Sequence, residues 1–172
     1  MIFLQSLATN VTKQHMDANT VSRPLNLLFL CTGNSCRSQM AEGWARTLLH
    51  GQCIAYSAGV VAHGLNPNAV SVMAEVGIDI SQQLSRSIDE LPKVAFDVVV
   101  TVCDNARESC PIYPGARVQI HHSFDDPPRL AAGRSHDEGL EIYRRVRDEI
   151  RDMVVGLQVY LETARQASPQ NV

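Results

Sequence analysis

The chain has 172 residues, 45% hydrophobic and 19% charged, enough for one globular domain with its own core and too few for two comfortable ones. Lys plus Arg number 15 against 18 Asp plus Glu, and the net charge of -3 gives no support for a nucleic-acid or membrane partner held by bulk charge. No apolar run approaches the roughly 20 residues that span a bilayer. The opening Met1-Ile2-Phe3-Leu4 lacks the basic start and length of a secretory signal, so a cytoplasmic monomer is expected.

Residues 1 to 23 are polar and aperiodic and read as a flexible extension ahead of a single catalytic domain over 24–166, with 167–172 as a tail. Leu25 to Leu30 is a short apolar run that predicts a buried strand. A helix is expected from about Ser38 to Leu49, with Met40, Ala41, Trp44, Ala45 and Leu48 on one buried face. Between the two lies Cys31-Thr32-Gly33-Asn34-Ser35-Cys36-Arg37, a thiol and a guanidinium at a strand's carboxyl end and a helix's amino end. Unpaired N–H groups and the positive end of the helix dipole meet at such a point, which suits an anion and a thiolate.

Cys53 to Ser57 predicts strand two, and Asn66-Pro67 opens a second helix that runs to Glu75 or Val76. A short helix is expected near Asp89 to Val94. Phe96 to Val102 is β-branched and nearly continuous, the pattern of a strand covered on both faces. Arg117 to Ile120 predicts a fourth strand, and His121 to Gly133 a loop. Ser135 and Glu138 form a capping-box pattern before one long helix ending by Gln166. Alternating strands and helices imply an α/β fold with a parallel sheet covered on both faces, expected in order 2-1-3-4. Ligands bind such sheets beyond the carboxyl ends of the strands, the edge where Cys31 and Cys103 fall.

The loop favours a thiolate through the helix end, the Ser38 hydroxyl and Arg37. Gly33 and Asn34 accept the unusual backbone angles that let successive N–H groups converge on one anion. Arg37 can grip two oxygens of a tetrahedral oxyanion. Thr32, Gly33, Asn34, Ser35, Cys36, Arg37 and Ser38 are therefore the candidate substrate-binding residues, and Cys31 the nucleophile.

Cys31-Thr-Gly-Asn-Ser-Cys-Arg-Ser-Gln-Met-Ala-Glu-Gly, Thr101-Val-Cys-Asp-Asn-Ala-Arg-Glu-Ser-Cys110-Pro, Phe124-Asp-Asp-Pro127 and Tyr143-Arg-Arg-Val-Arg-Asp-Glu-Ile150 together resemble the low-molecular-weight phosphatase superfamily. Within it, they are most similar to the thioredoxin-coupled arsenate reductases of bacteria. The resemblance spans about residues 25 to 157. It implies a three-layer α/β fold with a central four-stranded sheet. It also implies reduction of arsenate to arsenite, with phosphate or sulfate as substrate analogues. Cys31 would form an arsenate adduct, Cys103 would attack Cys31 and release arsenite, and Cys110 would move the disulfide to Cys103–Cys110 for reduced thioredoxin. No cofactor is implied beyond thioredoxin's electrons. Asp126, ahead of Pro127, resembles the family's general acid, with Asp125 the competing candidate.

Cys103 and Cys110 can pair only if the segment between them is not a straight helix, where seven residues separate Cα atoms by ~10.5 Å along the axis against the roughly 4.4–6.8 Å a disulfide needs. Cys36 reads as a structural or secondary thiol and Cys53 as buried core. Adjacent His121 and His122 point apart on a strand and have no third ligand nearby, so no metal is expected. Some relatives hold potassium through Asn and Ser plus a later Thr and Asp. Here Asn34 and Ser57 fit, but Leu84 and Arg86 stand at the later positions, and an arginine would repel the cation. The alternatives are a tyrosine phosphatase using Cys31, Arg37 and an Asp, which would want aromatic residues after Asp-Pro, and a non-enzymatic oxyanion or redox sensor.

Overall fold

A computed structural model of the chain describes residues 23–102 and 113–167. Cys103, Cys110 and the N-terminal extension lie outside the described residues. Four strands, β1 (Leu25–Cys31), β2 (Cys53–Gly59), β3 (Val98–Thr101) and β4 (Val118–His121), form one sheet in the order β2-β1-β3-β4. Every pair is parallel, with Cys31 opposite Gly59 and Leu30 opposite Thr101. Both the parallel sheet and its order are those expected from the sequence.

Period-two alternation divides the strands between two apolar layers. Leu25, Leu27, Phe29, Val98 and Val100 face the larger core, which the helices α1 (Arg37–Leu48), α2 (Pro67–Glu75), α4 (His136–Gly156) and α5 (Gln158–Gln166) close. Leu28, Leu30 and Val99 face a smaller cluster with Leu91 and Phe96, where Tyr56 and Tyr113 meet the Phe96 ring edge-on at 5.4 Å. Polar bonds lock the helices together. Trp44 Nε1 donates to the Arg147 carbonyl at 3.1 Å, and Arg147 Nη1 donates to the Val72 carbonyl at 2.9 Å.

Three local expectations change. The segment after β4 is not all loop: Pro127–Ala131 forms a short helix, α3, behind Asp126 at its N-cap position. Prolines at the first helical positions lose nothing there, because those N–H groups lack an intrahelical partner anyway. The long C-terminal helix is two, α4 and α5, joined at Leu157 just after Gly156. The helix expected near Asp89 shrinks to a single 3-10 turn, Ile88–Glu90, ahead of Pro92. The caps behave as read: Asn66 Oδ1 accepts from the Asn68 and Ala69 N–H groups, and Ser135 and Glu138 form the capping box.

At the amino end of the sheet, opposite the nucleophile, Asp97 is only 1% exposed. Arg23 grips it with two nitrogens at 2.9 and 2.7 Å, Arg117 Nε lies 3.2 Å away, and the Asn26 backbone N–H donates to it at 2.9 Å. One carboxylate thus ties the entries of β1, β3 and β4. Its removal strands a backbone donor and takes the carboxylate from two guanidinium groups, so Asp97→Ala is expected to lower stability by about 2–3 kcal/mol in urea unfolding while Asp126→Ala leaves it within about 1 kcal/mol.

Candidate active site

Residues 31–37 turn from β1 into α1 with every carbonyl fastened on the outer side. The extended segment after β2 runs along the loop. Val60, Val61, His63 and Asn66 donate their N–H groups to the carbonyls of Cys31, Thr32, Gly33 and Ser35 at 3.2, 3.1, 3.0 and 2.9 Å. Gln39 Nε2 takes the Asn34 carbonyl at 3.1 Å, and the Met40 N–H takes that of Cys36 at 2.9 Å. With the carbonyls of 31–36 each met by a donor, the loop satisfies the condition for an anion cradle on its other side. Asn34 adopts φ 43° to make the turn, and no side chain caps α1. Gly59 is the close point of the strap: a Cβ there would lie 2.6 Å from the Val61 carbonyl and 2.7 Å from the Asn34 nitrogen.

The Asn34 amide has one allowed orientation. The Arg86 backbone N–H, which can only donate, reaches Asn34 Oδ1 at 2.8 Å. Asn34 Nδ2 therefore faces Ser38 Oγ and Ser57 Oγ, at 2.9 Å each. Ser38 Oγ accepts that bond and lies 2.8 Å from Cys31 Sγ, to which it donates when the sulfur is a thiolate. The Asn34 backbone N–H also reaches the sulfur, at 3.1 Å. Two donors on one sulfur favour the thiolate. Ser57 passes its proton on to Glu42 at 2.5 Å, and Glu42 pairs with Arg46. Burial raises the Glu42 carboxyl above the usual range, while the Ser57 hydroxyl, Arg46 and Arg86 pull it partly back. Asn34 Oδ1 and Ser57 Oγ, the two atoms that fit a potassium site, are thus engaged with Gln39, Arg86, Asn34 and Glu42.

The other thiols differ by environment. Cys36 is 5% exposed, and burial pushes its thiol so far up that it stays protonated despite Arg37. Cys53 opens β2 at the edge of the core, half-buried rather than fully so, and burial pushes it up to about 11.

A pocket of about 340 Å³ opens over the loop, lined by Cys31, Thr32, Gly33, Ser35, Cys36, Arg37, His63, Asn66, Asp126 and Pro128. Arg37 Nη2 meets Asp126 Oδ1 at 3.1 Å, and its Nη1 donates to the Phe124 carbonyl at 3.0 Å. The two aspartates part company here. Asp126 faces Arg37 in the pocket, whereas Asp125 turns outward to Arg145 Nη2 at 2.7 Å. The paired histidines also diverge. His121 bonds Thr101 Oγ1 at 2.6 Å and Ser123, while His122 stacks on Phe124 with ring centres 4.4 Å apart.

The sequence from residue 26 to 167 matches the family model for low molecular weight phosphotyrosine protein phosphatase. The chain belongs to that family. Curated arsenate reductases from Halalkalibacterium halodurans and Bacillus subtilis are 51% and 53% identical over 124 residues, which is 72% of this chain and 88% of each of theirs. A solved arsenate reductase in a phosphate-binding state superposes with a TM-score of 0.65 at 34% identity, covering 80% of this chain and 98% of its own.

Sequence reasoning missed the strap at 60–66 and the polar residues beneath the loop. Gln39 and Glu42 carried a usable signal, as polar groups beside the apolar stripe of α1; both are buried. Ser38→Ala removes one of the two donors on Cys31, and iodoacetamide labelling of Cys31 at neutral pH is expected to slow about tenfold. Gly59→Ala wedges the strap off the loop and is expected to cost about 2 kcal/mol or more of stability together with nearly all activity, read by thermal melting and turnover.

Proposed function

We propose that this chain is an arsenate reductase that works in a reducing cytoplasm with thioredoxin as electron donor. The observation that carries the reading is that β1 and β3 leave the sheet side by side at their carboxyl ends. The Val102 N–H, one residue before Cys103, donates to the Leu30 carbonyl, one residue before Cys31, at 2.9 Å. The peptide leading into a second cysteine therefore runs beside the peptide leading into the nucleophile. The curated relatives at about half identity support arsenate as the substrate.

In this reading the loop N–H groups and Arg37 hold arsenate with its arsenic in front of the Cys31 thiolate. The sulfur attacks, an As–O bond breaks, and Asp126 supplies the proton with which that oxygen leaves as water. Asp126 is favoured over Asp125 because it shares the pocket with Arg37 and Asp125 does not. Cys103 then attacks the Cys31 sulfur. The S–As bond breaks with its electron pair passing to arsenic, so arsenic falls from the +5 to the +3 state, arsenite leaves, and a Cys31–Cys103 disulfide forms. Attack by Cys110 on Cys103 frees Cys31 and leaves a Cys103–Cys110 disulfide for thioredoxin to reduce.

The same cradle suits phosphate, so phosphomonoester hydrolysis is the second reading. Against an aryl phosphate stands the mouth, where His63, Asn66, Asp126 and Pro128 line the pocket and no aromatic carbocycle is among the described lining residues.

Arsenate-dependent NADPH oxidation with thioredoxin and its reductase is the direct test; turnover of an aryl phosphate without any arsenate-dependent oxidation would favour the phosphatase instead. Cys110→Ser is expected to release one arsenite per enzyme and then stop, and sustained thioredoxin-driven turnover would break the relay. Asp126→Asn is expected to slow adduct formation about 10²- to 10⁴-fold, with Asp125→Asn within about threefold of wild type; the reverse order would move the acid.

A further inference from the structure

The pocket's charge inventory leaves a dianion short of a partner. Among the described residues that line it, the groups that carry or can gain charge are Cys31, Cys36, Arg37, His63 and Asp126. Cys36 stays a neutral thiol. Arg37 faces Asp126 and shares the pocket with the Cys31 thiolate, so its single positive charge is offset whether or not Asp126 carries its proton. A tetrahedral oxyanion with two charges would then meet no net positive side-chain charge, only the loop's N–H groups and the α1 dipole. His63 is the remaining lining group that can become cationic.

Its placement is built rather than incidental. The His63 N–H donates to the Gly33 carbonyl at 3.0 Å, and the next N–H, that of Gly64, donates to Ser85 Oγ at 3.1 Å. The Ser85 hydroxyl in turn points to the same Gly33 carbonyl. The backbone on both sides of the imidazole is thus fastened to the middle of the loop. The ring itself lies directly on Gly33: a Cβ added there would sit 2.6 Å from Nδ1. Any other residue at position 33 would push the imidazole off the cradle. The glycine therefore does more than ease the turn, because it lets a ring stand against the loop where the anion binds.

We propose that His63 is a substrate-binding residue whose protonated imidazole supplies the pocket's second cation and donates to an oxyanion oxygen that Arg37 does not hold. The proposal rests on the reading of this pocket as one for an inorganic tetrahedral oxyanion. The titratable and charged groups around the ring are Cys31 and Cys36 in the loop, Arg37 on α1 and Asp126 ahead of α3. Beyond the lining residues, Arg86 follows Ser85 in sequence, and the Tyr143 hydroxyl of α4 accepts from Asn66. A charged imidazole attracts an oxyanion more strongly than a neutral one, so affinity is expected to fall from acid to alkaline pH.

The test uses inorganic sulfate, whose charge stays constant between about pH 5.5 and about pH 8.5, the range in which histidine titrates. Calorimetric titration is made in a Cys31→Ser background, so that no thiolate titrates. His63→Gln is expected to weaken sulfate binding about three- to tenfold at the acid end, with the gap closing toward the alkaline end. His63→Lys, a fixed cation, is expected to restore affinity and flatten the pH dependence. In the otherwise intact enzyme, His63→Gln is expected to raise KM for arsenate with kcat within about twofold. Equal affinity at the acid end, or a loss of the same size at every pH, overturns the proposal. Failure of the Cys31→Ser parent to bind sulfate or phosphate at all overturns the oxyanion pocket itself, a result separate from anything His63 variants report.

Discussion

A loop can offer its N–H groups to an anion only if its carbonyl groups are satisfied on the other side. That requirement organises this molecule. Six consecutive carbonyls, from Cys31 to Cys36, are held by the strap at 60–66, by Gln39 and by the first turn of α1. The strap is in turn placed by the pairing of β1 with β2, which brings Gly59 beside Cys31. The sheet thus determines the polarity of the loop, and the loop's polarity makes the cradle. Buried backbone groups left unpaired would cost free energy on either side, so the arrangement is rigid rather than optional.

Within that frame, one residue type takes three characters. The Cys31 sulfur receives two hydrogen-bond donors, Cys36 five residues later is sealed in apolar surroundings, and Cys53 sits at the core's edge. The differences arise from which donors reach the sulfur and how much water does. Asn34 is the switchboard, because a backbone N–H from Arg86 decides which end of its amide faces Ser38. The residue that departs from the relatives' potassium pattern contributes here through its main chain, which is indifferent to side-chain identity.

Legibility in the sequence followed the range of the interaction. The strands, the Asn66 and Ser135 caps and the position of the thiol loop are signalled by periodicity and by residues a few positions apart, and they were readable, whereas the strand order was expected without being fixed by any local signal. The break at Leu157 was not, since Gly156 weakens a helix without dictating where it ends. The helix after Asp126 hid behind two prolines, which read as loop residues but also open helices. The strap was least readable of all. Its contribution is made by backbone N–H groups of Val60, Val61 and His63, and backbone groups leave no mark on residue identity. His63, one of six histidines in the chain, carried no sequence signal of its own.

The bond from Val102 to Leu30 has a further consequence for the fate of a covalent adduct on Cys31. Two strand ends joined through their backbones cannot diffuse apart, so in the proposed reaction a thiol that follows the second would act on the first at an effective concentration far above that of a free thiol. Water, the competing nucleophile, gains nothing from the tether. In the proposed reaction the partition of an adduct between hydrolysis and reduction would then be a property of the β1–β3 ladder, and loosening that ladder would favour hydrolysis without touching a single reacting atom.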